Sequence, residues 1–152
     1  MKLSFTVRSI PVAWSRTRIA FDPRTGRVRP FNTAPMTDYG HQVATAAALA
    51  ARAQGWRMVP QGVPVTLSVT AYLPIPASTS KRKALAMIGK PHASKPDLEN
   101  VAYKLIADVL QKPDGKRPRA GVIFDDGQIW RGVEEKYWAR AEDARVEVEV
   151  TA

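Results

Sequence analysis

Apolar and polar residues alternate from Lys2 to Ile10, the two-residue period of a strand, until Pro11 breaks it. The same alternation predicts a strand over Val63 to Leu73, ended by Pro74 and Pro76. It recurs from Arg145 to Thr151, where Val146, Val148 and Val150 face inward and Glu147 and Glu149 outward. Gly121 to Phe124 and Ile129 to Trp138 read as two further strands. Helical spacing is clearest over Asp97 to Leu110, where Leu98, Val101, Leu105, Ile106, Val109 and Leu110 form one apolar stripe. An alanine-rich segment predicts a helix from about Thr37 to Gln54, with Thr37 or Asp38 as N-cap and Gly55 as its stop. Ser78 to Ile88, with a capping signature at Ser80, reads as a short helix or a mobile basic segment. The connections are an arginine-rich loop over Ser15 to Arg18, a turn-rich hairpin candidate over Asp22 to Pro30 and a basic loop over Lys112 to Arg119. These elements predict one small α+β domain spanning 1–152, a mainly antiparallel or mixed β-sheet packed with two main helices.

Charge divides the chain unevenly. Met1 to Pro96 holds 14 Lys or Arg against Asp22 and Asp38 alone, or +12, whereas Asp97 to Ala152 holds 9 bases and 12 acids, or −3. The first part is suited to a polyanion and the second to cations. Arg16, Arg18, Arg24, Arg27, Arg29, Lys81, Arg82, Lys83 and Lys95 are the candidate phosphate contacts. No stretch approaches a membrane-spanning length and no signal peptide is visible, so a cytoplasmic protein without a membrane partner is expected. There is no cysteine, which excludes thiolate chemistry and cysteine-based zinc sites, and the two histidines, His41 and His92, are isolated, which argues against histidine-dependent nuclease motifs. Metal chemistry must rest on oxygen ligands, which suit Mg²⁺ or Mn²⁺.

The carboxylates of the second part gather in two places, Lys95-Pro96-Asp97-Leu98-Glu99-Asn100 and Phe124-Asp125-Asp126-Gly127-Gln128-Ile129. Phosphodiester hydrolysis needs a nucleophilic water and neutralisation of charge on a pentacovalent phosphorus, and Mg²⁺ held by a few carboxylates supplies both. Within one ideal helix Asp97 and Glu99 would point about 200° apart, so they converge only if the helix begins between them. Pro96 favours that start. Lys104 falls on the polar face shared with Asp97 and Asp108, within reach of a phosphate. Taken singly, an acid at an N-cap with another in the first turn is ordinary helix-dipole compensation, and Asp-Asp-Gly is an ordinary turn.

Together the motifs are more specific. Lys-Pro-Asp-x-acid-Asn opening an amphipathic helix, followed by a short apolar strand running into Asp-Asp-x-Gln-Ile, resembles the RusA type of Holliday-junction resolvase, a family common in phages and prophages. The likeness extends over most of the chain: an N-terminal strand with a proline and then a basic loop, a helix, a strand ending in prolines, and a closing Val-x-Val-x-Val strand. It implies a RusA-like fold and a homodimeric, Mg²⁺-dependent endodeoxyribonuclease that cuts four-way DNA junctions by paired nicks, without a nucleotide cofactor. Carried over by position, Asp97, Glu99 and Asp126 would hold the metal with Asp125 beside them, and Lys104 would be the catalytic lysine. The chain departs from the family pattern at two points: Glu99 stands where aspartate is usual, and Tyr103 occupies the usual lysine position, one residue before Lys104.

Two other readings compete. Pro96-Asp97 with Glu134-Glu135-Lys136 resembles the PD-(D/E)xK nucleases, a pattern short enough to arise by chance in a strand with solvated charges. A basic DNA- or RNA-binding module without catalysis would need only the cations, its acids serving as caps and turns.

Overall fold

The computed structural model describes every residue except Arg16, Thr17 and Val101, together with the side chain of Glu99. Arg16, Val101 of the apolar stripe, and the Glu99 carboxylate therefore lie outside the described residues. The strands are β1 (Lys2–Val7), β2 (Arg18–Asp22), β3 (Arg27–Phe31), β4 (Val65–Pro74), β5 (Ile129–Ala139) and β6 (Arg145–Thr151). The helices are α1 (Ala34–Ala53), α2 (Lys81–Met87) and α3 (Tyr103–Leu110). The chain is a small α+β domain.

The main sheet runs in the order β1-β6-β4-β5. β6 pairs antiparallel with both β1 and β4, and β4 pairs parallel with β5, so the sheet is mixed. Register places apolar residues in rows across three strands: Leu3–Val150–Leu67, Phe5–Val148–Val69 and Val7–Val146–Ala71. All nine are buried, and with Tyr39 and Val43 of α1 and Ile106, Val109 and Leu110 of α3 they form the core. Each row removes several large side chains from water, at about 1.5–3 kcal/mol per fully buried Val, Leu or Phe. The rows change character at the edge, where the residues of β5 beside Leu67, Val69 and Ala71 are Gly132, Glu134 and Lys136. The inner face of the sheet therefore ends in charge.

Several sequence expectations need correction. The helix expected over Asp97 to Leu110 is broken into a 3₁₀ turn, Leu98–Asn100, and α3. The Asn100 carbonyl, which would accept from Lys104 N in a continuous α-helix, accepts instead from Trp14 N at 2.6 Å. Gly121 to Phe124 is not a strand; only Ile123 makes an isolated bridge, to Val59. Its amides are drawn to the end of α3: Val122 N and Ile123 N both donate to Leu110 O, at 2.8 and 3.0 Å, and Gly121 N to Gln111 O at 3.0 Å. α1 starts a turn earlier than Thr37, because Pro35 is well suited to a first turn; Gly55, at φ +65°, does terminate it. The hairpin and the Ser80-capped α2 form as expected.

Candidate active site

Both acidic motifs form tight turns that pack against α3. The 98–100 turn also packs against β5, and the 126–128 turn leads directly into that strand. Asp97 lies immediately before its turn, its carbonyl accepting from Asn100 N at 3.0 Å, and Glu99 lies within it. The backbone thus starts its helical path between the two acids.

Lys136, on the charged inner face of β5, fastens this segment. Its ammonium donates to Ser94 O and, at 2.7 Å, to Pro96 O, gripping the chain just before Asp97. Glu134, two residues earlier on the same face, lies near Tyr103; burial pushes the Tyr103 phenol up and the Glu134 charge adds to the shift. Tyr103 lies over Gly132. A β-carbon at Gly132 would come within 2.9 Å of Tyr103 Cζ and closer still to its hydroxyl, so glycine is what allows ring and strand to approach. Farther along β5, Trp138 stacks on His92 with ring centres 3.7 Å apart. Burial, and then the Lys136 charge, push the His92 imidazole down.

The second turn is held by Gln128, a residue whose role was not apparent from the motif. Its side chain is buried and makes four hydrogen bonds. Oε1 accepts from Phe124 N at 2.8 Å and Asp125 N at 3.1 Å, while Nε2 donates to Pro60 O at 2.6 Å and Val63 O at 2.8 Å. The amide thereby ties the acidic turn to the segment leading into β4. At Gly127 a β-carbon would press on Asp125 Oδ1 at 3.0 Å, so the glycine gives that carboxylate room.

Asp126 is exposed and lines a cleft of about 910 Å³ between α1, α3 and the base of the β2–β3 hairpin. Lys104, Lys116 and Arg117 line the same cleft, as do Tyr103 and Asp108. Lys104 Nζ lies over the Trp14 ring, 4.9 Å from its centre. Asp108, expected on a polar face with Asp97 and Lys104, is paired with Arg117 and Arg119 at 3.5 and 3.4 Å. The loop carrying these arginines turns on Asp114, which accepts from Lys116 N at 2.9 Å and Arg117 N at 3.0 Å. Those amide bonds hold the Asp114 carboxyl down at about 2.

Among the described residues, which do not include the Glu99 carboxylate, no three carboxylates or imidazoles are grouped closely enough to hold a metal ion. The remaining expected cations are dispersed. Arg18, Arg24, Arg27 and Arg29 lie on the hairpin, Lys95 is exposed beside Pro96, and Lys81, Arg82 and Lys83 are exposed on α2, which leads to the far end of β5 through Gly89 N to Trp138 O at 2.9 Å. No helix among the described residues is long and apolar enough to cross a membrane.

A family model described as Endodeoxyribonuclease RusA matches residues 10–151. No curated protein matches the chain significantly.

Proposed function

Because the chain belongs to the RusA endodeoxyribonuclease family, we propose that it resolves four-way DNA junctions by paired nicks, acting as a homodimer with Mg²⁺ or Mn²⁺. The observation that carries this reading is Asp126, presented to solvent on a Gln128-clamped turn in a cleft lined by Lys104, Lys116 and Arg117. Cations around an exposed acid suit a phosphate that must approach a metal-binding carboxylate.

The donor chemistry fits a hard cation: the chain has no thiolate, His92 is buried against Trp138, and the acids of both motifs offer only oxygen. Asp97, Glu99 and Asp126 would hold the ion, with Asp125 adjacent. When bound, it activates water and neutralises charge at phosphorus. The protein's own groups do the rest. Lys136 fixes the backbone ahead of Asp97, Gln128 fixes the turn bearing Asp126, and Lys104 offers positive charge to the phosphate from its position over Trp14. In this account Lys136 supports Asp97 through backbone carbonyls, a different use from the lysine of a PD-(D/E)xK site. A two-fold dimer supplies two such sites for two strands related by the same symmetry.

The test is cleavage of a synthetic four-way junction with Mg²⁺, with EDTA and with Asp126→Asn. Symmetric nicks that disappear in the last two arms support the reading. Junction binding with no cleavage under any metal condition would identify a binding module instead.

A further inference from the structure

The β2–β3 hairpin exposes an apolar surface. Register puts Ile19 opposite Pro30 and Phe21 opposite Val28, so these four side chains share one face. Ile19, Phe21 and Val28 are 72%, 65% and 58% exposed, and nearly every other position of the two strands is exposed too. A short ribbon leaving three large apolar side chains in water gains nothing for its own fold, and such patches mark interaction surfaces.

Charge selects the partner. Residues 18–31 hold Arg18, Arg24, Arg27 and Arg29 against Asp22 alone, a balance of +3, and Asp22 accepts from Arg24 N at 2.9 Å. Register sets Arg18, Arg27 and Arg29 on the opposite face of the ribbon, with Arg24 in its turn, so the apolar face is backed and tipped by cations. That combination suits a polyanion that also offers flat apolar surfaces to stack on. The base of the arm, at Pro30 and Phe31, lines the cleft that holds Asp126, so DNA lying along the ribbon leads into that cleft.

We propose that the hairpin is a DNA-reading arm whose arginines bind phosphates while Phe21, flanked by Ile19 and Val28, stacks on the open base-pair faces of a branch point. The inference rests on the nuclease reading above and names the feature of the substrate that is recognised. A two-stranded ribbon fits the major groove, and apolar side chains can wedge between base steps. In linear duplex such a wedge must first unstack a step, at a cost of a few kcal/mol. An open branch has base-pair faces without stacking neighbours, so the same contact is made there without that cost. The arm therefore favours branched over linear DNA without reading sequence.

The experiment measures binding in EDTA, which suppresses cleavage, to a four-way junction carrying 2-aminopurine at the branch and to a linear duplex of matched sequence. Phe21→Ala should weaken junction binding roughly 5- to 100-fold, as loss of one aromatic–base stack does, and abolish the branch-point fluorescence change while duplex binding persists. Phe21→Trp should restore both, Val28→Ser should follow Phe21→Ala in direction, and Leu49→Ala, 64% exposed on α1, should match wild type. Unchanged junction binding by Phe21→Ala overturns the arm while leaving the nuclease reading intact. Equal losses on junction and duplex also overturn it, as does conversion of a DNA-free dimer to monomer, which would assign the apolar face to a second copy. A wild-type protein that neither binds nor cuts branched DNA removes both readings together.

Discussion

Replacing Gln128 by alanine removes four hydrogen bonds at once and leaves Phe124 N, Asp125 N, Pro60 O and Val63 O without their partner. Each bond contributes about 1 kcal/mol net, and the stranded backbone groups cost more wherever water cannot reach them. The expected loss is about 4 kcal/mol, a large fraction of the 5–15 kcal/mol typical of a small domain. Urea denaturation should show the midpoint falling with little change in slope. Gln128→Glu separates the halves of the clamp: its carboxylate can still accept from the two amides but faces two carbonyl oxygens with no N–H to give. It should therefore recover only part of the loss. Gln128→Met fills the volume with neither donor nor oxygen acceptor and should resemble alanine more than glutamate does. A loss below about 1 kcal/mol in Gln128→Ala would show that the turn holds its shape without the clamp. Activity should fall with stability and remain low at temperatures where the variant is still folded, since the turn presenting Asp126 is no longer fixed.

Asp126→Asn should abolish cleavage while keeping or strengthening junction binding in a gel shift; wild-type cutting rates would refute the assignment. Arg18→Ala should lower the log–log salt slope of DNA binding by about 0.9 if it contacts one phosphate, read from titrations at several salt concentrations. Gly132→Ala should destabilise by about 1–3 kcal/mol, because the new methyl meets the rigid Tyr103 ring, and Tyr103→Ala should relieve the clash in a double-mutant thermal melt. The Asp114 carboxyl is held below its ordinary 3.8, at about 2, so its stabilising contribution is present above about pH 4 and is lost as pH falls through 2. The stability difference between wild type and Asp114→Asn should shrink over that acid window in denaturant titrations. His92 has linkage of the same sign: its imidazole is pushed below its ordinary 6.5, so the unfolded chain takes up the proton first, the fold loses stability as pH drops beneath 6.5, and His92→Phe should flatten that part of the profile.

What could be read from sequence was whatever repeats with a fixed period. β6 matches its alternating valines residue for residue, and β4 and β5 lie within a residue or two of their apolar runs. The two acidic motifs could be read because proline and glycine punctuate them. What escaped depended on distant partners. Nothing near Asn100 announces that Trp14 will take its carbonyl and split the helix, and nothing in Gly121 to Phe124 says its amides belong to the end of α3. The roles of Gln128 and Lys136 were equally hidden, since their acceptors lie more than sixty and about forty residues away. Lys104 and Asp108 were placed on one polar face by helical spacing, but spacing could not show that Arg117 and Arg119 would claim Asp108.

The place of β6 in the sheet sets the timetable of assembly. It is the last strand in chain order, yet it lies between β1 and β4, and Leu3 must wait for Val150. As the chain leaves the ribosome, β1 and β4 emerge with their apolar rows and open edges unmatched, and pairing at such sequence separation is slow. A chain halted before residue 145 lacks the seam that joins the N-terminal strand to the half bearing both acidic turns. Cutting activity should therefore arise late and all at once, when the closing strand enters the middle of the sheet, and chaperone dependence should be greatest just before that moment.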